Sequence, residues 1–324
     1  MTSDAPDTTD GAPALDAFRA DRVYLGADHR RNERRTWIVT GICAATLAAL
    51  VAGGAATRSL ALIASGLHMA AHVAALLVAS AAYAMARRHA GNPAFSFGTG
   101  KLGYLAGFTN AVVLAVTAVL IGVESIIRLL NPEPVDYTNA LPIAAAGLVV
   151  NLVCIWLLRP TGAAAARNDP QGDLNLSAAH LHLSADAIVS IFALAAILAG
   201  RQFGWAFADP VAGLLAAGLV GQFAWTLLRR AGAALLDINP SPELTAEIRR
   251  RLSDEAGERV IDLHLWRLGP GHHAVIAVIA AEHPKPAAAY RARLAGLAGL
   301  SHVTVEIREG AESLGDGHAG HSHG

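Results

Sequence analysis

Apolar residues in this 324-residue chain gather into long runs and not into the three-or-four spacing of a helix with one wet face. Six such runs, approximately residues 36–56, 60–86, 102–130, 139–158, 177–200 and 206–228, each reach the ~20 residues that a helix needs to cross a bilayer. Beyond about residue 238 the pattern changes. The stretch "INPSPELTAEIRRRLSDEAGE" opens on prolines and sets Leu244, Ile248 and Leu252 at helical spacing on a charged background. "RVIDLHLWRL", the turn "GPGHH", "AVIAVIAAEH", a helical stretch from Pro286 to about Ala298 and "HVTVEI" follow. The pattern predicts an α-helical membrane protein: six transmembrane helices within 36–232, then a small cytoplasmic α+β domain at 238–309. That domain has α-β-β-α-β order, is ferredoxin-like, and carries a three-stranded sheet covered by helices on one face.

Composition strengthens the membrane reading. Hydrophobic residues make up 53% of the chain and charged residues 16%, against about 25% in an average soluble domain. The mean hydropathy is +0.40. A formal net charge of −1 gives no electrostatic footprint for nucleic acid. Cys43 and Cys154 both lie inside apolar runs, which suggests small buried residues and not a disulfide framework. Residues 1–35 read as a polar cytoplasmic tail without the apolar core of a cleavable signal, and 310–324 as a His-rich tail.

Basic residues set the expected orientation. Arg30, Arg31, Arg34 and Arg35 precede the first span, Arg87, Arg88 and Lys101 bracket the 2/3 loop, Arg159 and Arg167 lie in the 4/5 loop, and Arg229 and Arg230 follow the sixth span. The opposite connections carry little beyond Arg58, Arg128 and Arg201, so both termini are expected in the cytoplasm of a multi-pass inner (plasma) membrane protein.

Chemistry concentrates in two spans. In "GLHMAAHVAALL" of the second, His68 and His72 stand four residues apart and share a face; in "HLHLSADAIVS" of the fifth, His182 and Asp186 do the same. Converged, the pairs offer three imidazole nitrogens and one carboxylate oxygen, a tetrahedral set suited to a divalent transition metal. A charged Asp at mid-bilayer costs about 2.5 to 3.5 kcal/mol, so Asp186 needs a partner or a wet cavity. Imidazole binds protons with a reference pKa near 6.5, so metal and protons compete for the same nitrogens.

"HMAAH", "HLSAD", the six-span pattern, "FSFGTGKLGYLAGFTNAVVL" and "DLHLWRLGPGHHA" together resemble the cation diffusion facilitator family of metal/proton antiporters over about residues 30 to 309. The HxxxH pair in the second span and the FGTGK segment resemble its cobalt- and nickel-exporting branch, since typical zinc-exporting relatives have HxxxD or DxxxD there. The resemblance implies a homodimer in the lipid bilayer with alternating access and a cytoplasmic metallochaperone-like domain. It implies a transport site at His68, His72, His182 and Asp186, no prosthetic group, and cobalt, nickel or zinc exchanged for protons. The chain departs from relatives at Ser65, where many carry an acidic residue, in the first span, which lacks one, and in a 4/5 loop without histidines.

Other marked residues have more ordinary readings. His180 points about 160° away from His182 and is read as a polar residue near the helix end, with an accessory metal role as the alternative. Asn110 and Asn151 are expected to pack through interhelical hydrogen bonds, and Asp209 before Pro210 reads as a packing residue or as the N-cap of the sixth span. Lys101 in "FGTGK" lacks the strand and the G-x-x-x-x-G-K-[ST] spacing of a phosphate loop; it is expected to fix topology or to pair across a dimer. Of the C-terminal domain's candidate ligands, His264, His272, His273, His283, His302 and Glu306, His264 is the regulatory candidate. The tail histidines His318, His321 and His323 suit loose metal capture.

Two other functions compete. A membrane redox protein with bis-His haem ligation would use the same histidines but not Asp186, and C-x-x-C-H is absent. An intramembrane metallohydrolase lacks H-E-x-x-H and a Glu beside the pairs. Export, not enzymatic turnover, is expected.

Overall fold

The computed structural model describes residues 23–57, 60–131, 137–159, 173–205, 207–253 and 257–309. Helices α1 (His29–Thr57), α2 (Leu60–Arg88), α3 (Leu102–Leu130), α4 (Tyr137–Leu157), α5 (Leu174–Phe203) and α6 (Ala208–Leu235) precede α7 (Pro242–Leu252), β1 (Arg259–Gly269), β2 (His272–Ala281), α8 (Ala287–Leu294) and β3 (Leu300–Glu309). Among the described residues five helices are long and apolar enough to cross a membrane, and the apolar part of α4, Leu141–Leu157, is shorter. Large side chains such as Val119, Leu120, Leu130 and Trp156 stand out from the bundle, as a lipid-facing surface requires.

Helix ends overrun the apolar windows where polar contacts carry them into the headgroup region. α1 begins seven residues before the hydropathy edge at 36. Its first two turns are held by Arg31 to Asp28 at 2.8 Å and by Glu33, whose carboxylate accepts from the Arg87 guanidinium of α2 at 2.8 and 3.0 Å. α5 starts on Asp173, whose side chain accepts from the Leu176 amide, and stops on Gly204 in the left-handed region at φ 70°. Phe203, Trp205 and Phe207 follow one another with ring centroids 5.2 and 5.8 Å apart, an aromatic group at a membrane interface.

Two cores divide the bundle. One joins α3, α5 and α6 through Leu114, Ala118, Ala178, Ala185, Val220 and Leu227; the other joins α1, α2, α4 and α5 through Val39, Met69, Leu76, Cys154 and Leu183. α5 belongs to both. Small residues let α3 approach α6 closely: a Cβ on Gly213 would strike the Ser125 hydroxyl.

In the C-terminal domain β1 pairs antiparallel with β2, and β2 pairs parallel with β3 through a crossover containing α8. Ile248, Leu252, Leu265, Val275, Ile279, Tyr290 and Leu294 form the core under α7 and α8. The Arg293 guanidinium, bonded to the buried Glu258 carboxylate at 2.5 Å, holds that carboxyl below its ordinary value of 4.5.

This domain sits against the end of the bundle where α1 and α3 begin and α6 ends. Lys101 Nζ, expected to fix topology or to pair across a dimer, meets Asp237 Oδ1 of the same chain at 2.5 Å. The Arg267 guanidinium lies 6.0 Å from the centre of the Tyr104 ring. Tyr24 is wedged between the segment before α3 and the β1–β2 hairpin. A Cβ on Gly100 would strike the Leu268 carbonyl and come within 2.8 Å of both Gly269 Cα and the Tyr24 carbonyl. Gly100→Ala is therefore expected to destabilise this junction by about 2 kcal/mol, as overpacking does. Thermal unfolding and limited proteolysis of the connection at 236–241 check it, and unchanged melting together with unchanged cleavage would contradict the packing.

Candidate metal centre

Twelve residues separate Leu60 from His72 in α2, and twelve separate Leu174 from Asp186 in α5. At 1.5 Å per residue each lies ~18 Å from its helix end, deep in a ~30 Å hydrocarbon layer. The two helices run in opposite directions, so these are opposite ends; from the end where α2 finishes and α5 begins, His72 stands sixteen residues (~24 Å) before Arg88 and Asp186 twelve (~18 Å) after Leu174, about one helical turn apart in depth.

They meet. His72 Nδ1 lies 2.8 Å from His182 Nε2 and 3.0 Å from Asp186 Oδ2, and His182 Nε2 lies 3.5 Å from the same oxygen. All three residues are buried, with exposures of 3%, 4% and 7%. Asp186 Oδ2 has no hydrogen bond of acceptable geometry among the described residues. A tetrahedral ion with metal–ligand bonds of about 2.0 Å separates its ligand atoms by roughly 3.3 Å, so the three atoms already sit at nearly ligand spacing. His72, His182 and Asp186 are the group of potential metal ligands found among the described residues. His68 belongs to α2 one turn before His72, but its side chain lies outside the described residues.

The geometry bears on the competing readings. Axial haem ligands flank a flat macrocycle, and two imidazole nitrogens 2.8 Å apart leave no room for one between them.

The end of the bundle facing the C-terminal domain carries a polar network. Asp173 Oδ2 accepts from Asn32 Nδ2 at 2.8 Å and from the Tyr83 hydroxyl at 2.5 Å, while Asp173 Oδ1 caps α5. Asn175 Nδ2 donates to the Ala79 carbonyl at 2.8 Å, and Thr40 and Ser80 hydroxyls meet at 3.0 Å. Sequence reasoning missed these residues. Asp173 carried a signal as an N-cap, but its partners lie 90 and 141 positions away.

At the other end a cavity of about 380 Å³ opens between α3, α5 and α6, with Glu124, Arg128, Asp209, Val189 and Ala193 in its wall. His182, Asp186, Val189 and Ala193 follow one stripe of α5, so the cavity continues the face that carries the donors. Arg128 binds Glu124 at 2.8 Å and lies 3.5 Å from Asp209. Asp209 is therefore an ion-pair partner in the first turn of α6. The N-cap position suggested for it is taken by Phe207, which makes no side-chain cap, since α6 starts at Ala208, two residues earlier than the Asp–Pro signal implies.

The remaining candidates stand apart from the cluster. His180 is half-buried on α5, and Asn110 and Asn151 are buried in α3 and α4. His264 is exposed on β1 and bonds Asp262 at 2.8 Å. His272 bonds Ser301 at 2.7 Å and reaches the Leu25 carbonyl at 3.3 Å, and His302 packs edge-on against Phe97. His273 is half-buried, His283 is exposed, and Glu306 pairs with Arg308 at 2.9 Å. His318, His321 and His323 lie outside the described residues.

Residues 36–236 match the cation efflux transmembrane domain family. The chain is 36% identical over 240 residues to the zinc transporter ZitB of Escherichia coli (strain K12), covering 74% of each chain. It is 32% identical over 224 residues to the cadmium, cobalt and zinc/H(+)-K(+) antiporter of Bacillus subtilis (strain 168), covering 69% of this chain and 70% of that one. Over a longer span, 294 residues, it is 29% identical to the metal cation efflux system protein CzcD of Cupriavidus metallidurans, covering 87% and 90%.

Proposed function

Because this chain belongs to the cation diffusion facilitator family of cation efflux transporters, we propose that it exports a divalent metal of the zinc, cobalt, cadmium or nickel class in exchange for protons. The membrane is the bacterial inner membrane, and both termini face the cytoplasm. The observation that carries the reading is the convergence of His72, His182 and Asp186 from two helices, with donor atoms 2.8 to 3.5 Å apart. His68, one helical turn from His72, completes the set as the fourth ligand. The cargo is soft enough to favour two or three imidazoles and charged enough to compensate buried Asp186.

Proton coupling follows from the ligands. Metal can bind only nitrogens that are not protonated, so loading displaces protons and reprotonation favours release. Movement between the two orientations is supported by the division of the core, with α3 and α6 in one pack, α1, α2 and α4 in the other, and α5 shared. In this arrangement the Asp173 network closes the cytoplasmic side, and the cavity beside Asp209 forms an outward route. The homodimer, a regulatory role for His264 and metal capture by the tail histidines belong to the same proposal.

The test is purified protein in liposomes holding a pH-sensitive dye, challenged separately with Zn, Co, Ni, Cd and Mn. Metal uptake with opposite proton movement for the first four, and much weaker movement of Mn, is expected. Metal flux without proton flux would refute the exchange, and equal handling of Mn and Co would refute the nitrogen-rich site.

A further inference from the structure

A second pair of side chains able to ligate metal lies inside the bundle, beside His72, His182 and Asp186 but on other helices. Cys43 of α1 and Cys154 of α4 are both fully buried, and their sulfurs are 3.9 Å apart. They are the chain's two cysteines and both are free thiols. We propose that they form an accessory site for a thiophilic divalent cation of the cadmium kind.

Three observations carry this. The first is spacing: zinc–sulfur bonds of about 2.3 Å hold two thiolates of a tetrahedral ion roughly 3.8 Å apart, and the larger cadmium ion widens this only slightly, so the pair at 3.9 Å needs little movement to chelate. The second is the surroundings. Val39, Leu158, Leu176 and Leu183 pack into the same cluster, an apolar wall that rejects an uncompensated charge. Binding written as M²⁺ + 2 RSH → M(SR)₂ + 2 H⁺ breaks two S–H bonds, forms two M–S bonds, and sends both protons to solvent. The product is neutral. A monovalent soft ion held by two thiolates would leave a net negative charge there, which is why the site selects divalent cargo. The third is Met69, buried in the same cluster, which brings a third polarizable sulfur and no charge.

The site is next to the transport ligands but separate from them. Met69 and Leu76 lie one turn on either side of His72, and Leu183 follows His182. A soft ion entering the bundle therefore meets sulfur at the depth of the imidazoles, and its capture bridges α1 to α4.

Titration of the purified full-length protein with Cd²⁺ alone tests this, because sulfur-to-cadmium charge transfer absorbs in the ultraviolet and imidazole or carboxylate ligation does not produce that band. One equivalent of Cd²⁺ giving the band with release of protons is expected. The band should vanish in Cys43→Ser and Cys154→Ser and persist in His72→Ala. Because the chain has no other thiol, the wild-type titration decides the matter even if a serine variant fails to fold. Absence of the band in wild type, its survival in a folded serine variant, or its loss in His72→Ala would each overturn the proposal. The last outcome would make the sulfurs part of the transport site. The vesicle assay is independent, so either result leaves the reading of metal export to its own test.

Discussion

Replacing Asp186 by Asn should lower metal transport by about two orders of magnitude or more while leaving the bundle folded. The side chain keeps its shape, so the loss comes from charge and ligand strength. Outer partners of metal ligands cost about 10- to 100-fold when removed, and a carboxylate in the ligand place proposed for Asp186 belongs at or above that upper end. A factor of 100 corresponds to about 2.7 kcal/mol. Asp186 Oδ2 makes no hydrogen bond of good geometry among the described residues, so the amide breaks no structural bond there and removes a buried charge. Folding should therefore be unchanged or improved, because an uncompensated carboxylate in hydrocarbon is expensive. Initial uptake rates in liposomes, read beside thermal stability in detergent, make the check. A variant that transports at the wild-type rate would remove Asp186 from the site, and one that loses stability in step with transport would assign it a packing role.

His72→Asp should change which metal moves. His72 Nδ1 is the donor nearest both others, at 2.8 and 3.0 Å, so any ion held there contacts it. The substitution removes a nitrogen and adds a negative charge. Nickel stands high in the divalent affinity order and gains most from nitrogen donors, so exchanging an imidazole for a carboxylate costs it more than zinc, and the nickel-to-zinc uptake ratio should fall about tenfold, or about 1.4 kcal/mol of relative binding. Two carboxylates in one buried site also repel, so one should hold a proton when metal is absent, and a larger proton count per metal is expected. Competitive uptake with both metals, with the dye reporting protons, measures both effects. An unchanged ratio would show that His72 does not touch the cargo.

The bilayer made much of the fold readable. Hydrocarbon demands long apolar helices, and the windows at 60–86 and 102–130 begin where the corresponding helices begin, at Leu60 and Leu102. Helix ends were less legible, since Arg30 to Arg35 look like loop residues to a hydropathy scale and become helix through Asp28, Glu33 and Arg87. The pairing of His72 with His182 and Asp186 was readable because one-turn spacing in two spans restricts where side chains can go. Asn32, Tyr83 and Asp173 carried no such mark. Each is an ordinary polar residue near a helix end, and only the packing of α1, α2 and α5 reveals their common bond. Gly100 and Gly269 were hidden for another reason: the cause of their smallness is a backbone approach from Tyr24, distant in sequence.

Asp173 has a consequence for how the bundle can move. One carboxylate caps the first turn of α5 and also receives bonds from α1 and α2, so α5 cannot slip past those helices without either breaking those bonds or uncapping itself. Loss of such a cap costs about 1 kcal/mol, and the two side-chain bonds would be left unmade as well. Carrying α1, α2 and α5 together as one rigid lever avoids that loss. In the proposed export cycle such a lever would pivot away from α3 and α6, keep the His72–His182 distance nearly constant, and change only which side of the membrane that pair can see.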